Sequence, residues 1–124
     1  MQFEVEFYET ADGKKPVEEF LLRLDGKMRA KFVHLLEVLE EKGNALREPY
    51  TKPLGEGILE LRCKLGNNLS RALFFFYHNG KIIITNGFIK KTRKTPPEEI
   101  QLAMARREDY LRRKREENEE FEDI

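Results

Sequence analysis

The sequence predicts one α+β domain. Two N-terminal helices pack on one face of a small, mostly antiparallel sheet, in the order β-α-α-β-β-β-α. Three observations predict it. Residues 58–65 alternate strictly, with Leu59, Leu61, Cys63 and Leu65 set against Glu60, Arg62 and Lys64. Met28, Phe32, Leu35, Leu36 and Leu39 recur at helical spacing. The chain has 124 residues, enough for one core and too few for two.

The elements follow in order. Phe3, Val5 and Phe7 alternate with Gln2, Glu4 and Glu6, which marks a half-buried strand. Residues 11–15 form a turn. Pro16 then opens a short helix bearing Val17, Phe20, Leu21 and Leu24. Asp25-Gly26 breaks it. A second helix runs from about Lys27 to Lys42, with Gly43 as its C-cap. Residues 44–57 carry two prolines and two glycines and read as loop. After the alternating strand comes Leu69 to His78, apolar on both sides and therefore central. Asn79-Gly80 is a hairpin turn into a last strand, Lys81 to Lys90. Thr95 is the expected N-cap of the final helix, with Pro96 at its first position and Glu98 closing a capping box. Beyond Arg112 this helix is almost wholly charged. The domain is therefore expected over 1–112, with 113–124 a frayed acidic tail.

Composition excludes several classes. Charged residues make up 37% and hydrophobic ones 40%, a globular balance. No apolar run approaches the roughly 18 residues needed to span a bilayer, and the N-terminus does not read as a signal peptide. Cys63 is the only cysteine, so a disulfide framework is impossible and the cytoplasm is the expected compartment. His34, His78 and Cys63 are scattered, which argues against a metal site; His34 and Cys63 read as structural.

The zero net charge hides an asymmetry. Residues 52–94 hold nine bases and two acids, whereas 116–124 hold six acids and no base. A cationic block attracts polyanions, chiefly nucleic acid, through counterion release. Two-residue turns at Asn67-Asn68 and Asn79-Gly80 would set Lys64 opposite Arg71 and Tyr77 opposite Ile82. One face would then carry Leu59, Leu61, Cys63, Leu65, Ala72, Phe74, Phe76, Ile83 and Ile89, the core under the two helices. The other would carry Glu60, Arg62, Lys64, Arg71, Phe75, Tyr77, Asn86, Phe88 and Lys90, mixing bases with aromatics as an RNA surface does. Like charges facing each other need an anion nearby, either an acidic side chain or a phosphate. Phe75 and Tyr77 are either open or covered by the last helix.

Several segments together carry a resemblance: Lys52-Pro53-Leu54, Leu59-Glu60-Leu61-Arg62, Arg71 to Phe76, and Phe88-Ile89-Lys90-Lys91-Thr92-Arg93-Lys94-Thr95-Pro96. Over about Phe3 to Tyr110 the chain resembles the RelE/ParE toxin superfamily, most of all its HigB-like, phage-derived branch. The resemblance implies a RelE-like fold. It also implies the toxin of a type II toxin–antitoxin system, partnered by a cognate antitoxin of helix-turn-helix type. The endonuclease branch cleaves messenger RNA on the ribosome without a metal or other cofactor. The superfamily also holds gyrase inhibitors, and a non-catalytic RNA- or antitoxin-binding module is a third reading.

The residues suit metal-free RNA cleavage, in which a 2′-hydroxyl attacks the adjacent phosphate. The protein must align it, move its proton and stabilise the developing charge. Arg62 and Arg71 are assigned to phosphate, since guanidinium offers forked donors. Lys52 and Lys90 are the candidate base or acid, because repulsion among clustered cations lowers a lysine pKa. Lys64, Tyr77, Lys91, Arg93 and Lys94 are the expected RNA contacts. The acidic tail either solubilises the chain or folds back as a phosphate mimic.

Overall fold

A computed structural model of the chain describes residues 3–89 and 93–122, with side chains described as far as Glu119. It is the expected α+β arrangement with one strand more. The elements are β1 (Glu4–Phe7), α1 (Pro16–Arg23), α2 (Gly26–Lys42), β2 (Thr51–Gly55), β3 (Ile58–Leu65), β4 (Asn68–Tyr77), β5 (Lys81–Ile89) and α3 (Pro97–Glu122). The sheet order is β1-β5-β4-β3-β2, and every pairing is antiparallel except β1 with β5. β2 lies within the stretch that composition marks as loop. Its Pro53 and Gly55 are tolerated because it is an edge strand, where a missing N–H can face solvent.

Both early helices have identifiable starts. Pro16 sits at the first position of α1, and Asp25 caps α2 by accepting from the Met28 N–H at 3.0 Å. They pack on one sheet face, over Leu61, Cys63, Ala72, Phe74, Ile82 and Ile84. Gly87 permits the close fit of α1, since a Cβ there would lie 2.4 Å from the Phe20 ring. α3 covers part of the opposite face and buries Ile58, Leu73, Phe75, Ile83, Phe88 and Tyr110 in a second cluster.

Both hairpin registers differ from expectation. The first turn is Gly66-Asn67, with Gly66 at φ +62 in the position where a type II′ turn takes glycine. Arg62, not Lys64, therefore faces Arg71. A two-residue slip leaves every side chain on its face but changes its opponent. The second loop has three residues, His78–Gly80, with Asn79 at φ +64, so Tyr77 pairs with Lys81 rather than Ile82. A bulge at Thr85 restores the expected Leu73–Asn86 pair. Between loop and bulge the faces are exchanged, so Ile83 belongs to the α3 side while Ile82 and Ile84 face α1 and α2.

α3 starts at Pro97, one residue later than expected. The hydroxyl of Thr95 is directed to Glu60 rather than to the helix. The helix runs without interruption through the expected domain boundary at 112. Arg113 and Lys114 lie over the rings of Tyr8 and Tyr110. The Tyr8 hydroxyl donates to Asp109 at 2.6 Å, and Arg106 donates to the Thr85 carbonyl at 2.8 Å, so α3 is fastened at both β1 and the bulge.

Candidate functional site

The alternation of β3 sends Glu60, Arg62 and Lys64 to the α3 side of the sheet, beyond the area that the helix covers. Three cross-strand rows result: Lys52–Glu60–Leu73–Asn86, Arg62–Arg71–Phe88, and Lys64–Leu69. At their centre is a buried carboxylate. Glu60 Oε1 lies 3.4 Å from Arg62 Nε, and Oε2 lies 3.8 Å from Arg71 Nη1. The Thr95 hydroxyl donates to Oε2 at 2.6 Å. A buried carboxylate is tolerated when charges and donors surround it, and here two guanidinium groups and one hydroxyl do so.

Exposure divides the cluster. Glu60 and Arg71 are both about 1% exposed, whereas the Arg62 side chain is 29% exposed. Lys52 and Lys64, on the same face, are exposed, as are Arg93 and Lys94 in the segment leading to α3. The site thus has a sealed base, Glu60 with Arg71, and an accessible rim, Arg62 with the lysines. Among the described residues, two arginines against one carboxylate leave an excess positive charge that the lysines increase. Fixed donors and a positive field are what a phosphodiester needs.

Two expected members of the site stand in different surroundings. Arg71 is about 1% exposed, with its guanidinium set 3.8 Å from Glu60 rather than open to solvent. Among the described residues Glu60 is a carboxylate that answers both facing arginines, the acidic side chain of the two expected alternatives. Tyr77 is not part of the cluster: it lies six residues along β4 from Arg71, about 20 Å at 3.3 Å per residue. It packs edge-on against Tyr110, 5.2 Å between centroids, and Phe75 meets the same ring at 5.8 Å. The expected mixture of bases and aromatics is therefore two regions, bases toward the β3 edge and aromatics beneath α3. Lys90 and Lys91 lie outside the described residues. Thr95 is the member that sequence reasoning missed, because a Thr before two prolines reads as a helix cap.

Among the described residues no group of three His, Cys, Asp or Glu is placed to hold a metal ion. Burial pushes the Cys63 thiol above its usual pKa, with Lys31 opposing, which fits a core residue rather than a nucleophile. No helix among the described residues is long and apolar enough to cross a membrane.

Comparison with curated proteins gives no match. Residues 19–108, from α1 through the cluster and into α3, match the model of a family described as "Phage derived protein Gp49-like (DUF891)". That span holds the whole Glu60–Arg62–Arg71–Thr95 arrangement, and the chain belongs to this phage-derived family of RelE-like toxins.

Proposed function

We propose that the chain is the toxin of a type II toxin–antitoxin pair and cuts messenger RNA on the ribosome without a metal. The observation that carries this reading is the accessible guanidinium of Arg62. Buried Glu60 fixes it at 3.4 Å, and Lys52 and Lys64 are exposed on the same face. In this reaction the 2′-oxygen attacks the adjacent phosphorus and the bond to the 5′-oxygen breaks. A 2′,3′-cyclic phosphate and a 5′-hydroxyl result. The proton leaving the 2′-oxygen and the proton reaching the 5′-oxygen are moved by lysine, with Lys52 and Lys90 the candidates.

Arg62 donates to the non-bridging oxygens, where charge accumulates in the transition state. Lys64, Arg93, Lys94 and Lys91 bind the flanking backbone or ribosomal RNA. Glu60 and Arg71 are positioning residues. The partner is a cognate antitoxin of helix-turn-helix type. The test is translation-dependent cutting of a reporter transcript by the purified chain. Arg62→Ala is expected to lower cutting by at least about 100-fold, the scale of losing one preorganised donor, while the variant keeps the parent's circular dichroism at the assay temperature. Unchanged cutting refutes the assignment. Inhibited DNA supercoiling with intact transcripts replaces the whole reading with a gyrase inhibitor.

A further inference from the structure

The sheet has three places where a strand could be added, and two are obstructed. The outer side of β1 is capped by α2: the Val5 N–H donates to Glu40 Oε2 and the Phe3 N–H to the Glu40 carbonyl, both at 2.8 Å. The outer edge of β2 carries Pro53 and exposed Lys52 and is bulged, three devices that discourage pairing. The third place is β3 itself. Its pairing with β2 ends at Thr51–Leu61, and the Arg62 N–H makes one last bond to the Tyr50 carbonyl at 2.8 Å. Two residues on, the backbone of Lys64 points to the same side. No strand adjoins it there among the described residues. Its carbonyl accepts from the ammonium of Lys31.

This edge opens on a groove against α2 of about 930 Å³. Leu35, Val38, Leu46 and Leu69 supply an apolar lining. The charged residues lining it are Lys31, Lys42, Arg62 and Lys64, with no aspartate or glutamate among the lining side chains. Each property selects something about an occupant. The strand edge selects an extended backbone, the lining selects apolar side chains, and the four cations select acids. A strand beside β3 would send alternate side chains to α2 and to the Arg62–Lys64 side.

We propose that this groove docks an extended peptide segment of a partner protein in which apolar and acidic residues alternate. It adds to β3 at Lys64, with its apolar row against α2 and its acidic row on Arg62 and Lys64. The Lys31 ammonium then gives up the Lys64 carbonyl to a peptide N–H and meets an acid of the segment. RNA fits less well: the lining offers a single large aromatic ring, Tyr50, for stacking, and a bare strand edge pairs with a backbone rather than with nucleotides. The inference does not depend on the catalytic reading, although Arg62 and Lys64 belong to both.

The experiment uses the full chain and a labelled seven-residue peptide alternating Leu or Val with Glu or Asp, followed by fluorescence anisotropy. Binding is expected in the range of about 1–100 μM, as for a short segment held by edge pairing and a few side chains. The charge variant K31E/K42E, both sites exposed on α2, should weaken it at least about tenfold with an unchanged melting transition. Methylating alternate peptide nitrogens should weaken it by a similar factor, since it removes the donors of an added strand. The Lys64 amide should gain protection from hydrogen exchange on binding. No binding at about 1 mM, a limit beyond about −4 kcal/mol, overturns the proposal. So does binding that survives both changes. Two other results also overturn it: a single-stranded RNA oligomer bound at the same lysines in the absence of peptide binding, or self-association abolished by K42E without peptide binding.

Discussion

Glu60 is the residue on which the site turns, because it is a carboxylate held out of water by two arginines and a threonine. Removing one member of a buried ion pair strands the other, at a cost of about 3–5 kcal/mol; replacing both by apolar groups is often neutral. Glu60→Leu should therefore destabilise the chain by about that amount in denaturant unfolding, and Glu60→Leu with Arg71→Met should recover most of it. If the single change costs under about 1 kcal/mol, within ordinary surface effects, the pair does not hold the fold. The sequence shows that Arg71 needs an anion, and alternation puts Glu60 on its face. What it misses is their proximity. With Asn67-Asn68 as the turn, Glu60 and Arg71 stand two pairs apart. With Gly66-Asn67 they become diagonal neighbours, within reach of long side chains. A glycine and two asparagines in succession offer both turns, and only packing over the whole sheet chooses between them.

Among the elements, α3 is the one whose attachment can be read by titration. The Tyr8 phenol donates to Asp109, and this bond, with help from Arg112 and Arg113, holds the Asp109 carboxyl below the usual range. A depressed folded pKa contributes stability above the unfolded value of about 3.9. That contribution fades as pH falls through the folded value. Burial and the same bond raise the pKa of Tyr8. Its contribution is present below the unfolded value of about 10 and is lost as pH rises through the folded one. Tyr8→Phe should thus flatten the stability profile at both ends while changing little at pH 7 beyond one hydrogen bond, about 1 kcal/mol. Equal acid and alkaline slopes in parent and variant would show that the Tyr8–Asp109 bond does not contribute to holding α3. The strongly patterned elements, α1, α2, β3 and β4, are legible from spacing. β2 is not, because an edge strand with a proline has the composition of a loop. The Thr85 bulge is not legible either, since an extra residue leaves no mark in an apolar run such as Ile82–Ile84.

Over the whole molecule, the cationic block counted along the chain is not one patch in space. Arg71 lies inside, Lys81 pairs with Glu6 at 3.3 Å on the β1–β5 side, and Lys52, Arg62 and Lys64 stand toward the β3 edge. Composition counts charges without regard to burial, so it overstates the field at any one place. The acidic end behaves similarly. Glu116 and Glu117 pair with Arg112 and Lys114 of their own helix, at 3.0 and 3.4 Å, rather than with the candidate RNA surface. Truncation after Arg115 removes six acids and no base, raising the formal net charge from 0 to +6. The change should act through the long-range field. That field reaches tens of ångströms at about 0.01 M salt and only about 8 Å at 0.15 M. RNA affinity measured by anisotropy should therefore tighten several-fold on truncation near 0.01 M salt, and the difference should fall below about twofold at 0.15 M. A tail lying on Arg62 and its lysines as a phosphate mimic behaves otherwise: contact pairs persist where distant charges are screened. A difference above about fivefold at 0.15 M salt would place the acids on the RNA surface itself and make the end of α3 an inhibitory segment.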